Sequence, residues 1–217
     1  MFFRSMIRLL QHYTSRLKID STQKTTGLNH TNIDSTQSLS KAYCAGFCRM
    51  LPDIEDCEKI MTASYQKHGV QFLYPENWIL EEQDGDNQDT VSVQSPNTAF
   101  WSLTIDYNGT SPDSLITNTL SVLQEEYSTL DVTPVEENIG DRKAVGQNLA
   151  FFCMDLTNTA RIRALQVGQV TLLILYQASD LEWPTTVAVF EAITLSLDCD
   201  PSHLQNIVYQ GDDSPYH

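Results

Sequence analysis

Five carboxylates crowd into "EEQDGDNQD": Glu81, Glu82, Asp84, Asp86 and Asp89. Hard divalent cations take oxygen ligands, so calcium or manganese is the first chemistry to test here. An EF-hand loop needs acids at alternate positions and a Gly at the sixth. Asp84 and Asp86 fit that pattern, Gln88 is a weak third ligand, and Asp89 stands where Gly is required. The EF-hand is excluded. A looser calcium or manganese site remains as the alternative to a solvated hairpin loop.

Arg161 and Arg163 alternate in "ARIRALQV", on one face of an expected strand. They are candidates for an anionic ligand, although pairing with acids on neighbouring strands is the commoner use of such residues. The histidines are His12, His30, His68, His203 and His217, with none between 69 and 202. Triad catalysis needs a nucleophile, a base and an orienting group within mutual reach. Cys153 lies in the apolar run "LAFFCM", where a thiol behaves as a small hydrophobe. No G-x-S-x-G, P-loop or G-x-G-x-x-G pattern occurs. No catalytic residue is therefore named, and a histidine-independent enzyme ranks last among the readings.

Cysteine spacing points the same way. Cys44 and Cys48 in "CAGFC" and the following Cys57 lack a fourth zinc ligand unless His30 or His68 supplies it. The five cysteines are odd in number and irregular in spacing, which does not make a disulfide framework. Free thiols in a reducing, cytoplasmic setting are expected, with no resident cofactor.

Charge narrows the partners. Residues 1–65 hold eight Lys/Arg and six Asp/Glu, whereas residues 66–217 hold five and 22. Phosphate backbones are bound by Lys and Arg releasing counterions, so a folded part this acidic excludes nucleic acid. A protein with a basic surface fits the charge. No apolar run reaches the roughly 18–20 residues of a membrane span.

These groups need elements to hold them. Residues 1–64 are expected to be a disordered or non-native extension: "IDSTQ" occurs twice in a Ser/Thr/Gln/Asn-rich tract too polar to offset its ordering entropy. Residues 1–18 carry four basic residues, no acid and an apolar stripe. Those traits suit an organelle-targeting peptide, the alternative to a cytoplasmic location. Met61 stands just before the globular pattern and rivals Met1 as the start.

A globular domain is expected over 65–200, followed by a polar tail, 201–217. "GVQFLY", "WILEE", "TVSVQS" and "AFWSLTIDY" read as strands, the first, third and fourth by period-2 alternation. "SPDSLITNTLSVLQEEYSTL" is a helix with Ser111 as N-cap, Pro112 in the first turn and one apolar stripe. Gly140–Asp141 and Gly168–Gln169 are Gly-X pairs suited to type II′ hairpins between four further strands. "VTLLILYQA" has no polar face, so both sides of its sheet must be covered. "EWPTTVAVFEAITLSLD" supplies a second helix, which Pro201 stops.

The order of these elements, with the Tyr74–Trp78 turn "YPENW" near the start and "YQASD" leading into "FEAI" and "TLSL", resembles the PsbP-like fold. That family groups extrinsic PsbP proteins of photosystem II, Ran-interacting Mog proteins and DcrB-like proteins. The resemblance, from Lys67 to Leu197, implies an α+β class: an α/β/α layered domain with a central antiparallel sheet of six or seven strands and one main helix on each face. It also implies a non-catalytic accessory or interaction role. Phe72, Tyr74, Pro75 and Trp78 are its structural signature and are read as core, not as a ligand cage. The leading functional reading is an acidic interaction domain docking a basic protein. The alternative is a metal or small-ligand binder using the 81–89 loop.

Overall fold

The computed structural model describes residues 61–153, 155–201 and 204. The expectations for the targeting segment, the "IDSTQ" tract, Cys44, Cys48, Cys57 and most of the C-terminal tail lie outside the described residues. The elements are β1 (Thr62–Lys67), β2 (Val70–Pro75), β3 (Ile79–Gln83), β4 (Gln88–Gln94), β5 (Phe100–Asp106), α1 (Pro112–Glu126), β6 (Leu130–Ile139), β7 (Arg142–Cys153), β8 (Leu156–Val167), β9 (Val170–Ser179), α2 (Trp183–Leu195) and β10 (Asp198–Cys199).

Seven strands form one antiparallel sheet in the order β3-β4-β5-β9-β8-β7-β6. Every residue of β9 is buried, as its unbroken apolar run requires of a central strand. α1 packs on one face, burying Leu115, Ile116 and Leu123 against Leu149, Phe151, Ile162, Leu173 and Leu175. Its start follows from sequence: Pro112 lies in the first turn and the Ser111 side chain accepts the Ser114 N–H. α2 covers the opposite face through Val189, Phe190 and Ile193. The layered α+β architecture expected from the sequence is the architecture of the domain.

A second sheet was not expected. β1, β2 and β10 form a separate three-stranded sheet, order β1-β2-β10, whose side chains join the core beneath α2. β1 and β2 meet across His68 and Gly69, both at positive φ (55° and 74°), which is the type I′ pattern of a tight hairpin. The "YPENW" turn then carries the chain from the small sheet to the edge of the large one. The Trp78 N–H donates to the Pro75 carbonyl at 3.0 Å, and the indole packs edge-on against Phe190, 5.8 Å between centroids. Phe72 lies 4.9 Å from Trp101 and 5.0 Å from Tyr65, and fixes the small sheet to the large one. Burying such a ring contributes about 1.5–3 kcal/mol.

The core also takes in Leu204, which is fully buried. A Cβ added at Gly69 would lie 3.0 Å from its side chain, so this turn glycine serves packing as well as φ. Among the described residues no helix is long and apolar enough to cross a membrane.

Candidate functional site

Strand alternation sorts the five acids of the 81–89 segment. Asp89 shares a face with Val91 and Val93 of β4, and Glu82 with Leu80 of β3, all on the side of the small sheet. Glu81 points to the other side, and Asp86 is exposed in the β3–β4 loop. Asp84 lies in the same loop and reaches back toward the β1–β2 hairpin.

His68 is the residue that the hairpin brings to these acids. Its Nδ1 lies 2.9 Å from Asp89 Oδ2, and its Nε2 lies 3.4 Å from Asp84 Oδ1 and 3.9 Å from Glu82 Oε1. A carboxylate only accepts, so the short contact with Asp89 assigns a proton to Nδ1. Asp89, itself buried, also accepts the Tyr107 hydroxyl at 2.7 Å and the Gly85 N–H at 3.2 Å. Glu82 Oε1 accepts the Tyr65 hydroxyl at 2.8 Å and lies 3.1 Å from Lys67 Nζ. Lys67 also stands 3.7 Å from Asp84.

The electrostatics follow from this crowding. Burial, then the bond to Glu82, raises the Tyr65 hydroxyl above its ordinary range. Burial and the bond to Asp89 do the same for Tyr107. Burial pushes the Glu82 carboxyl upward, but the bonds from Tyr65 and Lys67 outweigh it and hold the group below the usual carboxylate value. Both phenols therefore stay protonated donors, and Glu82 stays an anion.

The sequence argument that no histidine lies between 69 and 202 stopped one residue short of this group. A signal was present: a His-Gly pair between two strands is a I′ turn, which places its side chain at a sheet end. Strand parity alone would have selected Glu82 and Asp89 from the five acids.

The two arginines lie elsewhere, on the α2 side of β8. Arg161 pairs with Glu191 at 2.9 Å, and its guanidinium lies 5.3 Å from the Trp183 ring centre. Arg163 is buried; its Nε donates to Glu137, Nη1 to the Gln147 and Ile162 carbonyls at 3.0 and 2.9 Å, and Nη2 to Asn148 at 2.8 Å. The chain itself thus supplies acceptors to both. Phe72, Pro75 and Trp78 are buried and Tyr74 is half-buried. Cys153 and Cys199 are free thiols. Burial raises both, pushing Cys199 up to about 11, so neither is a ready thiolate.

No protein-family model and no curated protein matches the sequence. Among solved structures, the chain is similar to the solution structure of cyanobacterial PsbP (CyanoP) from Synechocystis sp. PCC 6803, at 12% identity, covering 65% of this chain and 92% of that one, TM-score 0.49. It is similar to PA94, a protein of unknown function from Pseudomonas aeruginosa, at 11% identity, covering 64% of this chain and 98% of that one, TM-score 0.42. It is also similar to LpqN, involved in cell envelope biogenesis of Mycobacterium tuberculosis, at 11% identity, covering 64% of this chain and 90% of that one, TM-score 0.38. PsbP is the family to which the order of elements pointed.

Proposed function

We propose that this domain is a non-catalytic interaction module whose acidic surface docks a protein with a basic surface. The observation that carries the reading is the state of its few cations. Residues 61–201 contain five Lys/Arg against 20 Asp/Glu. Each of the five, Lys67, Arg142, Lys143, Arg161 and Arg163, already lies within 4.0 Å of a carboxylate. The remaining excess is negative and has no cation of this segment left to offset it.

One end of the domain concentrates that excess. α1 finishes on Glu125 and Glu126 with no basic residue in its last turn. Acids there oppose the helix dipole, at a cost of about 0.3–1 kcal/mol each. Asp131 follows at the start of β6, an edge strand of the large sheet. A basic partner would relieve the unfavourable placement and gain association rate from it. The exposed acids of the 81–89 loop lie at the opposite end of the sheet, beside the other edge strand, and form a separate acidic patch. The thiols at Cys153 and Cys199 accord with a cytoplasmic setting in this reading.

The test is affinity capture with the full chain at low and high salt, read by mass spectrometry. The expected result is a basic partner retained at low salt and released at high salt. A captured partner that is acidic, or indifferent to salt, removes the reading.

A further inference from the structure

We propose that His68, Glu82 and Asp84 bind a first-row divalent cation, zinc or manganese, with Asp89, Tyr107 and Tyr65 holding them in place. This inference does not rest on the docking role.

The starting point is the imidazole. His68, Asp84 and Asp89 each offer a ligand atom, all within 4.8 Å of one another. One ring cannot turn both nitrogens toward one ion, so the two acids play different parts. Asp89 takes the Nδ1 proton and is itself fixed by the Tyr107 hydroxyl and the Gly85 N–H. This is the carboxylate–histidine arrangement that orients a metal-bound imidazole and raises its basicity. In that tautomer Nε2 presents a lone pair, and it faces Asp84 Oδ1 at 3.4 Å and Glu82 Oε1 at 3.9 Å.

Two carboxylates converging on one imidazole nitrogen call for a positive charge between them, and in this structure Lys67 supplies it. The spacing suits an ion: tetrahedral bonds of about 2.1 Å place neighbouring donors about 3.4 Å apart. Small side-chain shifts close the wider contact. Glu82 is already oriented for this by Tyr65.

Lys67 supplies the second observation. Its ammonium sits 3.1 Å from Glu82 and 3.7 Å from Asp84, a side-chain cation held by the same two carboxylates. It marks where positive charge is wanted, and an arriving ion must displace it. Lys67 is half-exposed and carried on a flexible stem, so it has solvent to swing into.

The donor set decides the class of metal. One imidazole with two carboxylates suits zinc or manganese, whereas calcium prefers an all-oxygen shell of six to eight ligands. The five-acid loop therefore contributes two ligands rather than a calcium cage.

The test uses the full chain titrated with Mn²⁺, followed by electron paramagnetic resonance, because the cysteines compete for zinc and much less for manganese. One equivalent is expected to bind. His68→Gln and Asp84→Asn should each weaken it at least about tenfold, and Asp89→Asn about 10–100-fold through the lost orientation of the ring. Lys67→Met should tighten binding severalfold, a gain that misfolding cannot produce, while Asp180→Asn at the far end of the sheet should change nothing. The proposal is overturned if the wild type takes up no manganese at millimolar metal. It is equally overturned if His68→Gln binds like wild type or Lys67→Met binds more weakly.

Discussion

His68 Nδ1 meets Asp89 Oδ2 at 2.9 Å, and that contact ties the hairpin of the small sheet to the start of β4 in the large one. The Tyr107 hydroxyl, 2.7 Å from the same oxygen, brings in the end of β5. Three segments far apart in sequence are joined at one buried carboxylate.

Removing one donor should expose how much that junction holds. Tyr107→Phe keeps the ring and leaves Asp89 short of a hydrogen bond. We expect a loss of about 1–3 kcal/mol, the cost of an unsatisfied buried polar group. Urea unfolding monitored by tryptophan fluorescence measures it; an unchanged midpoint would show that water serves Asp89 equally well.

Glu82 should make stability depend on pH. Its folded-state value is lowered, so its contribution is present above the ordinary carboxylate value and is lost as pH falls through the folded one. Its side chain is 34% exposed, which screens the pair. Glu82→Gln should therefore cost only about 0.5–1 kcal/mol near pH 7. Once the pH has fallen through the lowered folded-state value, so that the wild-type carboxyl is also protonated, the difference should vanish. A difference that persists there would assign the effect to packing instead.

Gly146 should tolerate no side chain. A Cβ there would fall 2.2 Å from the Ile162 carbonyl oxygen and 2.6 Å from Arg163 Cδ. The neighbouring strand cannot retreat without breaking the β7–β8 ladder, in which Gly146 pairs with Arg163. Gly146→Ala should destabilise by at least about 1–3 kcal/mol. Gly140→Ala is the comparison: nothing lies within 4 Å of its added Cβ, so it carries only the strain of a φ of 62°. Thermal melting of the two variants separates overpacking from backbone strain, and equal losses would contradict the packing argument.

Much of the large sheet was legible because its signals are local. The apolar run of β9 demanded two covers, and both helices declared themselves by Pro and by stripe. Gly140 and Gly168 do sit at positive φ in two-residue turns, as the Gly-X pairs indicated. β1 was not legible: "TASYQK" buries only Tyr65, so a polar strand at the edge of a small sheet leaves almost no periodicity. β10 is two residues long and carries none. The His68 group was half-legible, since alternation selects Glu82 and Asp89 but says nothing of which hairpin lies above them. That pairing depends on Phe72 seating the small sheet against Trp101, a contact between residues 29 positions apart in sequence.

The docking claim is tested most directly by the affinity of the captured basic partner for the wild type and for the Glu125→Gln, Glu126→Gln, Asp131→Asn triple variant, measured from about 0.05 to about 0.5 M salt. Kd is expected to rise steeply with salt for the wild type. The variant should bind at least about tenfold more weakly at low salt, with a shallower salt dependence. Equal affinities and equal salt slopes for the two proteins would contradict the account.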